Sequence, residues 1–232
     1  MSSTLPKRTA DNITKGRDEN KNSRGQRELK LEKHKRLADF QKVVGIRDAE
    51  LKALRGRNLF LDGMGNLYVV VENGKGGKYQ QQRVFPEHEK IVLDIFQGVE
   101  NNEFVFSKSE VRINGGTHAL RRKNAQNACK RYEGMIETDP RAREKLGDMI
   151  LQHYDRVASR ENMDKFRKGK KELRERIERA MRSPLYKLRG ANRQKAIANG
   201  RPVVYDSMAL LATAEFHLAH HRFDVVSVNY MS

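Results

Sequence analysis

Leu218-Ala219-His220-His221-Arg222-Phe223-Asp224-Val225-Val226-Ser227-Val228-Asn229-Tyr230 sets a phenol about ten residues behind a His-His-Arg cluster. A phenol is a poor nucleophile at neutral pH, because its reference pKa is about 10. It becomes one when a base takes its proton and fixed cations neutralise the charge on the group it attacks. Alone, Tyr230 reads as a half-buried aromatic near a chain end. The reading of the whole chain therefore turns on whether other stretches supply the base and the cations.

The 232 residues allow one large domain or two small ones, with enough chain for a real core. The formal net charge of +17 favours a polyanionic partner, nucleic acid first, without selecting an activity. A single cysteine, Cys129, excludes an internal disulfide and a cysteine-cluster metal site. No apolar run is long enough to span a bilayer and the polar N-terminus is no secretory signal, which predicts a soluble intracellular protein with no membrane contact. The charge is uneven. Residues 1–36 hold 11 Lys+Arg against 5 Asp+Glu, and residues 139–201 hold 19 against 9, so a basic arm and a basic helical segment flank a nearly neutral middle.

Residues 1–24 almost lack apolar side chains and read as a flexible basic arm. From there, Leu29, Leu37, Phe40 and Val44 share one helix face that Gly45 ends, and a second helix is predicted over about 48–54. Strands are expected at 58–62, 67–72 and 79–85, the last two joined by Asn73-Gly-Lys-Gly-Gly-Lys78, whose glycines suit a tight turn. Pro86 closes that element, and a helix follows over about 87–96. Asn114-Gly-Gly-Thr117 reads as a loop and N-cap before a long helix to about Ile136. Another helix starts at Asp139-Pro-Arg, residues 162–199 read as charged and helical with a break at Ser183-Pro184, and Asp206 caps a last apolar helix to about Leu218.

Three further stretches bear on the phenol. Arg47, in Val44-Gly-Ile-Arg-Asp-Ala-Glu-Leu51, sits at a turn into a helix, where its fork can hold a phosphate bidentately. Lys75 stands on the glycine-rich turn, with Lys78 close behind; the spacing is not that of a P-loop, so ATP binding is not expected. His118 and Arg121, three apart at a helix start, put a base and a cation on one face. His217 and His221, one helical turn apart, are the rival metal-ligand reading, which no cysteine and no H-E-x-x-H pattern supports. Each stretch alone is common: a surface arginine, a solvated turn, a chance H-x-x-R.

Together, and in this order, they resemble the catalytic domain of the tyrosine recombinases, the phage integrase family. The family's T-G-L-R-x-x-E-L is similar to residues 44–51, its hairpin G-K-G-x-K-x-R-x-x-P to Gly74-Lys-Gly-Gly-Lys with Arg83-Val-Phe-Pro86, and its H-x-x-R to His118 and Arg121. Its L-G-H-x-R before a tyrosine resembles Leu218 to Arg222 and Tyr230, with Ala219 where the family carries glycine. Gln81 and Gln82 extend the hairpin strand, and residues 139–201 look like an insertion.

The resemblance implies an α+β, mainly helical catalytic domain over 25–232, with a small antiparallel sheet packed on helices. It implies site-specific breakage and rejoining of DNA through a 3′-phosphotyrosine, in integration or excision of a mobile element. Tyr230 would be the nucleophile, His118 the base, Lys75 the acid, Arg47 and Arg121 the phosphate clamp, and His220 a phosphate ligand whose place His221 takes if the register shifts. No metal or cofactor is implied. From its charge rather than from the resemblance, the basic helical segment over 162–201 is expected to lie along the DNA backbone and to supply affinity but not sequence choice. Lys168, Lys170, Lys171 and Arg174 are its expected DNA-binding cations. The alternative is a non-catalytic basic DNA-binding protein derived from a recombinase. The implied partners are double-stranded DNA, further copies of the chain in a tetramer on DNA, and an accessory DNA-bending or clamp-supplying protein. About 24 polar residues ahead of the first predicted helix are too few for the family's clamp domain, so the chain alone is expected to be monomeric and slow. A cytoplasmic, DNA-associated location goes with this reading.

Overall fold

The computed structural model describes residues 33–75, 77–112, 117–219 and 226–231. The expected basic arm, the Asn114–Gly116 loop, and His220, His221 and Arg222 lie outside the described residues. The described chain is mainly helical with small antiparallel sheets, as the apolar periodicities predict.

Helices α1 (Lys35–Val43) and α2 (Asp48–Leu51) are separated by Gly45, whose φ of 70° is the left-handed turn that ends α1. Strands β1 (Leu59–Leu61), β2 (Leu67–Val71) and β3 (Gln80–Arg83) form an antiparallel sheet in the order β1-β2-β3, with Leu59 opposite Val69 and Val71 opposite Gln80. The central strand β2 is buried along its whole length, which explains its unbroken Leu-Tyr-Val-Val-Val run. Pro86 opens α3 (Pro86–Phe96) at its first position, where the missing N–H costs nothing.

Long helix α4 (Thr117–Thr138) is followed by α5 (Ala142–Ala158) and α6 (Met163–Arg182). The helical run expected to residue 199 is interrupted by a strand. After Pro184, β4 (Leu185–Lys187) pairs antiparallel with β5 (Val204–Asp206), and α7 (Gly190–Ala198) lies between them. Strands β4 and β5 are too short to show an alternation and, unlike the apolar Leu-Phe-Leu of β1, carry charged residues, so the sequence conceals them. Asp206 caps α8 (Ser207–Thr213) by accepting from the Met208 and Ala209 N–H groups, and the helix runs on as a π turn over Ala214–Leu218. A second π turn, Ser227–Met231, carries Tyr230.

Two apolar cores result. Leu37, Phe40, Leu51, Val69, Val92 and Phe106 join α1, α2, the sheet and α3. Tyr132, Leu146, Ile150, Leu173, Leu210 and Phe216 join α4, α5, α6, α8 and the first π turn. Residues 139–201 therefore build part of the second core rather than hanging from it. Helix α4 packs on both α1 and α8 and so ties the two halves together. No helix among the described residues is long and apolar enough to cross a membrane.

Candidate active site

The seam between the two cores is occupied by a charge. Arg121 is 1% exposed, although it sits in the first turns of α4. Its guanidinium donates to the Gly45 carbonyl, to the Leu218 carbonyl at 2.9 Å and to the Tyr230 hydroxyl at 3.3 Å. A guanidinium has five N–H donors, so two remain. Its carbon also lies 5.9 Å from the centre of the Tyr230 ring. Burial lowers the Arg121 pKa, the nearby Arg47 charge lowers it further, and Tyr230 and Glu50 oppose both.

Arg47 caps α2 in extended backbone. Its main-chain N–H and its side chain both donate to Glu50, each at 2.7 Å. Glu50 is buried, and burial alone would raise its pKa. The two bonds from Arg47 and the charges of Arg47 and Arg121 more than offset this, so the carboxyl stays below its ordinary value. Glu50 also accepts from the Gln80 amide at 3.3 Å, which fastens β3 to α2. Gly74, one residue before Lys75, packs so closely on Gln80 that a side-chain carbon there would lie 1.7 Å from its Nε2. The turn that carries Lys75 is thereby anchored at its base to the arginine helix, while Lys75 itself is exposed.

His118 is exposed at the start of α4, with its ring centre 6.0 Å from that of Tyr230. Tyr230 is 5% exposed. The tail that carries it is held by Gln126, which donates to the Tyr230 carbonyl at 2.9 Å, and by the Tyr205 hydroxyl, which donates to the Met231 carbonyl at 3.2 Å. Ala219, between the π turn and His220, is the one non-glycine with positive φ among the described residues, at φ 48° and ψ 44°.

Four of the six expected reaction residues, Arg47, His118, Arg121 and Tyr230, thus meet in one cluster. Lys75 is on the adjoining turn and His220 is outside the described residues. Of the expected backbone-tracking cations, Lys168, Lys171 and Arg174 are exposed, whereas Lys170 reaches Asp155 at 2.6 Å. His217, the rival metal ligand, is fully buried; its Nε2 lies 3.0 Å from the Tyr132 hydroxyl and its ring stacks on Phe85 at 4.8 Å. The sequence does not single out Glu50, Gln80 or Gln126. The three-residue spacing of Arg47 and Glu50 was the available signal for the first. The other two depend on tertiary contacts alone. No protein-family model, curated protein or solved structure matches the chain.

Proposed function

We propose that the chain is the catalytic part of a DNA strand transferase of the tyrosine-recombinase type, which breaks and rejoins duplex DNA through a phosphotyrosine. The observation that carries this reading is the hold of Arg121. One guanidinium joins Gly45, Leu218 and Tyr230, which lie 76, 97 and 109 residues away from it. Those are the stretches on which the family resemblance was drawn. A second support is Ala219: the position where the family pattern has glycine is left-handed here.

In this reading the Tyr230 oxygen attacks a scissile phosphorus and its proton passes to His118. The bond from phosphorus to the 5′ oxygen breaks, and that oxygen takes a proton from Lys75. One phosphodiester is exchanged for another, so attack by a 5′-hydroxyl on the phosphotyrosine reseals DNA without ATP. Arg47 and the two remaining donors of Arg121 meet the charge that grows on the phosphate oxygens. Glu50 holds the Arg47 fork in place and His220 adds a further phosphate bond. Lys168, Lys171 and Arg174 contribute to non-specific affinity. Further copies of the chain and a clamp-supplying partner complete strand exchange between two sites.

The test is incubation with duplex DNA nicked close to the cleavage site, so that the short 5′-hydroxyl fragment diffuses away and the covalent product is trapped. A denaturant-stable protein–DNA adduct is expected. A chain that binds duplex DNA and forms no adduct on any substrate would be a non-catalytic DNA-binding protein instead.

A further inference from the structure

Residues 179–205 hold seven Lys+Arg and no Asp or Glu. In space they are the end of α6, the β4–β5 ribbon and α7 between its strands. Arg179, Arg182, Lys187, Arg189, Arg193 and Lys195 are all exposed. None of the seven cations takes part in an ion pair among the described residues. Earlier in the same helix α6, Lys165 reaches Glu161, Lys170 reaches Asp155 and Arg176 reaches Glu172. An uncompensated run of like charges destabilises the compact state by self-repulsion, which an anion bound across it would relieve.

The cations also have a place to converge. A cavity of about 450 Å³ lies between the end of α6, the ribbon and the start of α7. Arg179, Lys187 and Arg189 line it together with Ser183 and Asn192, and no carboxylate does. Ser207 also lines it, at the start of α8, the opposite end of that helix from the Leu218 carbonyl that Arg121 holds. Eleven residues at about 1.5 Å each separate the two ends by roughly 16 Å. That is about five base-pair steps of duplex DNA at 3.4 Å.

We propose that this cavity is a second nucleic-acid site, a seat for backbone phosphates of duplex DNA flanking the cleaved phosphate. It supplies affinity that does not depend on base sequence. The inference rests on the proposed strand-transferase reading for its choice of ligand, but not for its location. The lining sets Arg179, Lys187 and Arg189 among Ala180, Leu185, Tyr186 and Leu188 and holds no carboxylate, so its cations suit phosphate oxygens. Asn192 is the one amide side chain in the lining that could read a base.

The experiment compares the full-length chain with a triple variant, Arg179→Ala, Lys187→Ala and Arg189→Ala. A control triple, Lys35→Ala, Lys90→Ala and Lys145→Ala, removes the same charge from exposed, ion-paired positions. Duplex affinity is measured against salt for two unrelated sequences, and thermal melting checks that each variant folds. The cavity triple should lower the slope of log K against log salt by about 2 to 3, equally for both sequences, and the control by less than 1. Equal slopes for the two triples would overturn the proposal. So would a cavity triple that keeps its duplex affinity but no longer binds vesicles containing anionic lipid, since the cavity would then serve a membrane surface. The two readings fail separately: an adduct formed by a chain whose slope ignores the cavity triple overturns only this site, and a lost slope in a chain that never forms an adduct overturns only the chemistry.

Discussion

Glu50 keeps its charge where burial opposes it, and its three bonds explain how. Two come from Arg47 and one from Gln80, so a single carboxylate sets the arginine fork and the base of the lysine turn. Glu50→Ala should cost about 1–3 kcal/mol of stability, because it leaves buried donors unmatched. In the strand-transferase reading it should slow single-turnover DNA cleavage on the order of 10²-fold while changing duplex affinity little, the magnitude that goes with removing one transition-state donor. Cleavage at the wild-type rate would show that Arg47 needs no such anchor. Ala219 is the second residue with a local cost. A side-chain carbon in left-handed backbone costs about 1–2 kcal/mol. Ala219→Gly should therefore raise stability by about 1 kcal/mol in urea unfolding, less what the glycine loses in unfolded-state entropy. An unchanged or lowered midpoint would mean that the backbone there is not left-handed in solution.

Among the elements, the π turn over Ala214–Leu218 carries a histidine that the fold keeps neutral. Burial, with Arg83, His153, Arg131 and His88 around it, pushes His217 down to about 3, against an ordinary value near 6.5. The unfolded chain binds a proton that the folded chain refuses. Stability is therefore complete above about pH 6.5 and falls as the pH drops from there towards 3. The slope contributed is at most about 1.4 kcal/mol per pH unit. Urea unfolding at pH 7, 6 and 5 should show this slope in the wild type and a flatter one in His217→Phe; parallel slopes would contradict it. The elements also mark what a sequence discloses. Strand β2 and helices α3, α4 and α8 follow from apolar period, Pro86 and the Asp206 cap. The β4–β5 ribbon does not, because its pairing of Leu185 with Asp206 spans too few residues for a pattern. Nor does the buried row Gln80, Gln81 and Gln82, since amides read as exposed until Glu50, Tyr79 and each other supply their partners.

For the whole molecule, the two cores meet at Arg121, and the tail with Tyr230 closes over that arginine. Composition suggested only that the chain favours polyanions. The order of Arg47, Lys75, His118, Arg121 and Tyr230 suggested a site, but not that Arg121 would be buried, since an arginine seen in sequence reads as a surface charge. The Tyr230 hydroxyl takes one Arg121 donor in this arrangement. In the strand-transferase reading, duplex binding would draw the phenol aside so that phosphate reaches the buried guanidinium. The direct test of the strand-transferase account is to trap the covalent product on nicked duplex DNA, digest both components, and identify the modified peptide by mass spectrometry. The account predicts a nucleotide linked through phosphate to Tyr230, and no adduct from Tyr230→Phe at nearly unchanged duplex affinity. An adduct on another residue such as Tyr205, or one that persists in Tyr230→Phe, would contradict it.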